Sequence, residues 1–231
     1  MSASRKNFEN AAALDAALSE ILIDQLAAAI DARGEALLAV SGGSTPLGLF
    51  SRLSGAALDF SKVTVTLTDD RCVAFEHPDS NAQMVRRLLL QHNASPAQFM
   101  PLYDSTLDLA AQTHALNARF QALPTFDAVV LGMGLDGHTA SLFPGAEGLS
   151  DAMDLASDLA AVALQPLTAP HTRISLSAAR LLNTRNLFLH VTGEEKLQVL
   201  TLAEASGLVV QYPVGLFLRH EDPKTQVFWA P

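Results

Sequence analysis

The stretch 126–144 constrains the fold of this chain most, because it joins a short apolar run to a cluster of glycines. Ala128–Leu131 is uniformly apolar, and glycines follow at positions 132, 134 and 137. A short apolar run bounded by glycine is typical of a buried strand in a parallel sheet. Because glycine permits positive φ and close backbone approach, the pattern predicts a strand that ends in a tight loop around a small ligand. That loop also carries Asp136 and His138.

The same glycines match the Gly-x-Gly-x-x-Gly pattern of dinucleotide-binding proteins. In those proteins the loop opens a helix whose N-terminus binds the pyrophosphate. Here Phe143-Pro144-Gly145 would end such a helix after about a turn and a half, because proline cannot continue it. The sequence therefore disfavours NAD and predicts no cofactor. A glycine-rich connection with a solvated histidine is the simpler alternative.

Helix-like and strand-like segments alternate along the chain. Periodicity predicts helices over 7–33, 112–123, 178–182 and 194–205, with helix starts at Pro46 and at 79–81, and strands over 36–40, 63–67, 126–131, 159–164, 173–177, 186–191 and 225–229. Residues 145–157 are expected to form an exposed excursion. The alternation predicts an α/β fold with a three-layer, mostly parallel, Rossmann-like sheet and helices on both faces. At 231 residues a single domain over 1–231 is expected.

Composition limits the partners. The formal net charge of −9 argues against nucleic acid and anionic membranes. A single cysteine, Cys72, excludes an intrachain disulfide and favours a reducing, cytoplasmic location. Acidic residues interrupt the apolar residues near the N-terminus, so neither a signal peptide nor a membrane span is expected. The seven histidines include no His-x-His or His-x-x-x-His pair, so no metal site is predicted. The oligomeric state is left open, with a monomer favoured.

Polar groups cluster near the ends of the predicted strands. They are Gly42, Gly43, Ser44 and Thr45 after the strand 36–40, Asp69 and Arg71 after 63–67, Asp136 and His138 after 126–131, Arg173 at the start of its strand, and Lys196 in the first turn of its helix. Carboxyl ends of parallel strands meet at the ligand-binding edge of a sheet, so we expect these groups to converge. A plain turn at 42–45 and a solvated charge cluster at 69–71 are the alternatives.

The loop 42–45 has the features of a phosphate site. Thr45 is expected to cap a helix that begins at Pro46. Free N–H groups and the helix dipole at such a position bind phosphate well. The lysine of a nucleoside-triphosphate loop is absent. Together with Asp136 and His138, the pattern predicts hydrolysis or isomerisation of a small phosphorylated metabolite.

Six motifs occur in order along the chain: 41–46 (SGGSTP), 68–71 (TDDR), 80–81 (SN), 132–144 (GMGLDGHTASLFP), 173–175 (RIS) and Gly193 with Lys196. This set resembles the family of 6-phosphogluconolactonases and glucosamine-6-phosphate isomerases. The resemblance implies hydrolysis of 6-phospho-D-glucono-1,5-lactone to 6-phospho-D-gluconate in the oxidative pentose phosphate pathway. Its small-molecule partner would be that phosphorylated sugar lactone.

The alternative within the family is glucosamine-6-phosphate deamination. The deaminase pattern has Asp-Glu-Tyr at positions 69–71 and Asn-Glu-Pro at 142–144, and this chain has neither. Both differences favour the lactonase, although Asp70 stands where lactonases usually have glutamate. A non-catalytic sugar-phosphate sensor is a third possibility, and the pairing of His138 with Asp136 argues against it.

The resemblance also implies roles for the clustered residues. His138 would take a proton from water, and Asp136 would orient its imidazole. The residues 42–45, Asp69, Arg71, Arg173 and Lys196 would bind the substrate and its phosphate. Backbone N–H groups of the glycine loop are expected to stabilise the oxyanion.

Overall fold

A computed structural model describes residues 3–231, which form ten strands and eight α-helices. The strands are β1 (Ser4–Asn7), β2 (Ala36–Val40), β3 (Val63–Leu67), β4 (Asp69–Arg71), β5 (Gln98–Met100), β6 (Ala128–Leu131), β7 (Ala161–Leu164), β8 (Arg173–Leu176), β9 (Leu187–Thr192) and β10 (Gln226–Ala230). The helices are α1 (Ala11–Arg33), α2 (Leu47–Ser54), α3 (Asn81–Leu88), α4 (Leu109–Ala122), α5 (Leu149–Met153), α6 (Ala178–Leu182), α7 (Glu194–Ser206) and α8 (Val214–Arg219).

Seven strands form a central sheet in the order β1-β10-β9-β6-β2-β3-β5. Every pairing in this sheet is parallel, and helices flank it. The predicted α/β class with a mostly parallel sheet is therefore confirmed. β6 is buried throughout, as expected for a strand covered on both faces. Among residues 3–231 no helix has the length and apolarity needed to cross a membrane.

The N-terminal segment differs from the prediction. Its helix begins at Ala11, where Asn10 accepts a hydrogen bond from the Ala13 N–H at 2.9 Å. The preceding residues Ser4–Asn7 form β1 at the edge of the sheet and are exposed, so they carry no apolar pattern. The predicted end is confirmed, because Gly34 caps the helix with φ 82°.

A second, three-stranded antiparallel sheet has the order β4-β8-β7. The sequence pattern predicted strands close to β7 and β8, but it assigned no strand to 69–71 and did not separate these segments from the main sheet. This second sheet is important for the site because it brings two arginines together. Antiparallel pairing of β4 and β8 sets Arg71 directly opposite Arg173.

Other differences lie in the connections. No helix follows the glycine loop between Gly132 and Gly148, which removes the element that a dinucleotide pyrophosphate would need. Residues 145–157 are not simply an exposed excursion, because α5 buries Leu149 and Ala152. Strand β5 and helix α8 were not predicted.

Asp70 links β4 to α3. It is 1% exposed, and its carboxylate accepts hydrogen bonds from the N–H groups of Arg71 (2.8 Å), Asn81 (2.7 Å) and Ala82 (3.0 Å). Burial raises its pKa to about 6, although the same hydrogen bonds oppose that rise. Both carboxylate oxygens of Asp70 therefore hold the start of α3 against β4. This is a structural role for the aspartate that stands where lactonases usually have glutamate.

We expect Asp70→Ala to lower the free energy of unfolding by about 2–4 kcal/mol, because three N–H groups lose their acceptor in a buried place. Asp70→Asn keeps one acceptor oxygen and should lose less. Urea unfolding of both variants measures the two losses. Equal stability of Asp70→Ala and the parent would exclude this role.

Candidate active site

A cleft of about 330 Å³ opens where β2 and β6 end, because Val40 and Leu131 line it. Nine of the predicted site residues also line it: Gly42, Gly43, Ser44, Thr45, Asp69, Arg71, His138, Arg173 and Lys196. Asp136 is outside the lining and reaches the cleft through its contact with His138. The predicted convergence of these residues is therefore present in the structure.

The loop 42–45 presents a row of backbone donors. Within residues 3–231, the N–H groups of Gly42, Gly43, Ser44 and Thr45 have no hydrogen-bond partner. Consecutive free N–H groups beside a helix N-terminus are suited to bind an anion. Gly42 must lack a side chain, because a Cβ there would lie 2.0 Å from Asn81 Oδ1.

Thr45 was predicted to cap α2, and this prediction was wrong by one residue. Pro46 occupies the cap position, and no side chain caps the helix. Thr45 instead places its hydroxyl 3.5 Å from Lys196 Nζ, so the loop and the start of α7 meet across the cleft. Burial lowers the pKa of Lys196 from its ordinary value, as expected for an ammonium group held partly out of water.

Arg71 and Arg173 form a pair of cations that have no ion-pair partner among residues 3–231. Arg71 donates to the Asp79 carbonyl at 2.6 Å, and Arg173 donates to the Pro170 carbonyl at 3.0 Å. Among residues 3–231 neither guanidinium has a carboxylate within ion-pair distance, and both Nε atoms lack a protein partner. Burial and the charge of Arg71 lower the pKa of Arg173, although the charges of nearby carboxylates oppose that shift. Two adjacent, partly buried cations of this kind indicate an anion site.

Asp69 is buried and already hydrogen-bonded. Its carboxylate accepts from Ser141 Oγ at 2.5 Å and from Thr68 Oγ1 at 3.1 Å. Thr68 Oγ1 lies 3.0 Å from Ser41 Oγ, which in turn accepts from the Gly132 N–H at 3.1 Å. This network joins the end of β2, the start of β4 and the glycine loop. Since a carboxylate would also repel a phosphate, the contacts favour a positioning role for Asp69.

Four polar residues of this region were not predicted as site residues: Ser41, Thr68, Asn81 and Ser141. All four stand inside the motifs that carry the family resemblance, so a signal was present. Asn81 lines the cleft and donates to the Asp69 carbonyl at 2.9 Å. His190 also lines the cleft, although its sequence pattern indicated only a strand residue.

His138 is held by Asp136 on one side of its ring. Nδ1 lies 2.5 Å from Asp136 Oδ1, which also accepts from the His138 N–H at 3.1 Å. Burial opposes ionisation of Asp136, but the hydrogen bond and charge of His138 outweigh it and lower the pKa of Asp136. A neutral imidazole whose Nδ1–H is donated to a carboxylate has its lone pair on Nε2. The arrangement is that of an oriented base.

The loop and an aromatic ring fix the plane of this imidazole. Phe143 stacks on it with ring centroids 4.0 Å apart. A Cβ at Gly134 would lie 2.1 Å from His138 Cε1, so only glycine fits beside the ring.

The expected oxyanion donors are mostly engaged. The N–H groups of Gly132, Gly134, Gly137 and His138 all donate within the protein. In the described part of the chain, the Met133 N–H has no partner, and Met133 lines the cleft. An N–H without a partner in a residue that lines the cleft is a candidate oxyanion donor.

Comparison with known proteins agrees with this architecture. Residues 9–229 match the family model described as glucosamine-6-phosphate isomerases/6-phosphogluconolactonase. A protein of Rhizobium meliloti (strain 1021) named 6-phosphogluconolactonase is 43% identical over 232 aligned residues, which cover 100% of each chain. A crystal structure of a 6-phosphogluconolactonase from Shewanella baltica OS155 has a TM-score of 0.95 and 41% identity, covering 99% of this chain and 98% of that one.

A more distant structure shares the fold alone. It is a monomeric glucosamine-6-phosphate deaminase with a TM-score of 0.79 and 17% identity, covering 98% of this chain and 97% of its own. Because the family model spans nearly the whole sequence and the relatives match over full length, this chain belongs to the glucosamine-6-phosphate isomerase/6-phosphogluconolactonase family.

Proposed function

We propose that this protein hydrolyses 6-phospho-D-glucono-1,5-lactone to 6-phospho-D-gluconate, by attack of a water molecule that His138 activates. Full-length relatives at about 40% identity carry the name of this lactonase, which supports lactone hydrolysis in the pentose phosphate pathway. The observation that carries the mechanism is the oriented His138–Asp136 pair at the edge of a cationic cleft.

The chemical steps use one imidazole twice. Nε2 of His138 takes a proton from water, and the resulting hydroxide attacks the lactone carbonyl carbon. The tetrahedral intermediate collapses by breaking the bond between that carbon and the ring oxygen. The imidazolium then returns its proton to the ring oxygen, so no net proton is taken up by the protein. Asp136 stabilises the imidazolium between the two transfers.

Substrate binding is assigned to the other side of the cleft. The phosphate would accept hydrogen bonds from the N–H groups of residues 42–45 and from the cations Arg71, Arg173 and Lys196. Charge-assisted hydrogen bonds of this kind contribute roughly 1.5–3 kcal/mol each. Asp69 would hold the loops that carry these groups and would not itself touch the phosphate.

Acid release from freshly prepared 6-phosphogluconolactone tests this proposal directly. Because the lactone also opens unaided in water, the rate must be measured above that background at slightly acid pH. We expect rapid hydrolysis by the purified protein and no ammonia from glucosamine 6-phosphate. Ammonia release without lactone hydrolysis would assign the chain to the deaminase activity, and binding without either reaction would indicate a sensor.

Asp136→Asn should lower kcat less than the loss of the imidazole does. The amide can still accept from His138 Nδ1–H, but it cannot stabilise the imidazolium by charge. The expected loss is about tenfold or more, with little change in product affinity. Steady-state kinetics and titration with 6-phosphogluconate measure the two effects. A kcat equal to that of the parent would show that Asp136 plays no part in the reaction.

The proposal extends to the location and assembly of the enzyme. The single cysteine, Cys72, supports a reducing, cytoplasmic location. We also propose one catalytic domain that acts as a monomer, without a cofactor. Light scattering of the purified protein tests the oligomeric state.

A further inference from the structure

A cluster of two histidines and one aspartate lies beside the two arginines of the cleft. His77, Asp79 and His171 each offer one ligand atom, and these atoms all lie within 4.8 Å of one another. Sequence spacing does not indicate this cluster, because His171 lies 92 positions after Asp79. Asp79 is the residue whose carbonyl accepts from Arg71, and Pro170, whose carbonyl accepts from Arg173, immediately precedes His171.

The spacing of the ligand atoms is close to that of a tetrahedral site. His171 Nε2 lies 3.0 Å from Asp79 Oδ2, and His77 Nδ1 lies 3.9 Å from the same oxygen. Zinc bonds of ~2.0–2.1 Å in tetrahedral geometry separate neighbouring ligand atoms by about 3.3 Å. Small side-chain movements would therefore bring all three atoms to one ion.

The chemical state of the ligands also fits a cation. His77 Nδ1 accepts a hydrogen bond from the Asp79 N–H at 3.1 Å, so this nitrogen carries no proton, and a cation would take the place of that N–H. Two imidazole nitrogens and one carboxylate oxygen suit zinc and related late divalent metals better than magnesium or calcium.

The backbone at His171 is a separate indication of constraint. Its φ is 69°, in the left-handed region that a histidine seldom adopts. Such conformations persist where the surroundings or a function require them. Here the residue joins a chain segment that lines the cleft at Ala169 to the loop that carries Asp79.

We propose that His77, Asp79 and His171 bind one zinc-class divalent cation at the mouth of the cleft and thereby brace Arg71 and Arg173. The cation would connect the two segments whose carbonyls hold the guanidinium groups. It would also neutralise Asp79 and add positive charge near the anion site. Zinc and the sugar phosphate should therefore bind with positive coupling, each tightening the other by the same factor.

Zinc titration of the chelator-treated protein against a chromophoric competitor tests the site. We expect one site in the parent protein and affinity about tenfold or more weaker in His77→Ala and in His171→Ala. His114→Ala, which removes an exposed histidine from α4, is the matched control and should bind as the parent does. His138→Ala should also keep the site. Absence of zinc binding, or its loss only in His138→Ala, would overturn the proposal.

Titration with 6-phosphogluconate in the presence and absence of zinc tests the bracing. We expect about fivefold or greater tightening in the parent and none in His171→Ala. This second readout rests on the proposed function, whereas the zinc titration does not, so the two can fail separately. An unchanged affinity in a parent protein that binds both zinc and 6-phosphogluconate would overturn the bracing of the arginines.

Discussion

His138→Ala is expected to lower kcat by ~10²–10⁴-fold while 6-phosphogluconate still binds, because the variant loses the general base but keeps the cationic side of the cleft. Nδ1 of His138 is engaged with Asp136 at 2.5 Å, so Nε2 is the nitrogen left to accept a proton from water. Steady-state kinetics above the spontaneous rate and calorimetric titration with 6-phosphogluconate measure the two quantities.

The control for this variant is His114→Ala, which removes an imidazole from an exposed helix surface. It should match the parent in both rate and binding. Circular dichroism and thermal unfolding verify that the His138→Ala protein is folded, since the substitution also removes the ring that stacks on Phe143. A folded His138→Ala protein with the parent kcat would leave His138 as a structural loop residue and remove the base from the mechanism.

Arg173→Ala is expected to weaken binding of the phosphorylated lactone about tenfold or more and to raise KM accordingly. Arg173 is 5% exposed, has no carboxylate within ion-pair distance in residues 3–231, and is paired with Arg71 across β4 and β8. Loss of one charge-assisted contact to phosphate costs roughly 1.5–3 kcal/mol, which corresponds to that factor. Because the group is remote from the reacting bond, kcat should change less than KM.

A substrate without phosphate distinguishes a loss of phosphate binding from a general loss of activity in the variant. On glucono-1,5-lactone, Arg173→Ala and the parent should have the same kcat/KM, because there is no phosphate for the guanidinium to bind. Arg173→Lys is the matched variant, and it should recover part of the affinity because it keeps the charge but not the two-pronged geometry. An unchanged KM for the phosphorylated lactone in Arg173→Ala would contradict the assignment.

The proposed zinc site rests on contacts between segments that are distant in the sequence. Short-range histidine pairs are absent from this chain, so the pattern predicted no metal site. Ligand residues distant in sequence come together only when two loops fold over the same edge of the sheet. Spacing rules detect sites built on one helix or one turn, and this cluster is built on neither.

Local pattern alone was enough for the main strands and the central loop. Ala36–Val40 and Val63–Leu67 were predicted with the bounds that the structure has, because buried parallel strands are short, continuous apolar or alternating runs. The same pattern predicted the glycine loop after β6 and most residues of the cleft, because ligand-binding groups gather at the carboxyl ends of parallel strands.

Only the tertiary structure decided which of these residues can meet a substrate and which hold the site together. The antiparallel pairing of β4 and β8 brings Arg173 against Arg71, although Arg173 stands at the start of its strand. Asp69 and Asp70 are neighbours in sequence, yet one joins the loops of the cleft and the other holds the start of α3. The sequence determined the residue types and the strand ends where they occur. Partners and roles depended on contacts between distant segments, because a side chain's surroundings are set by packing that local periodicity does not encode.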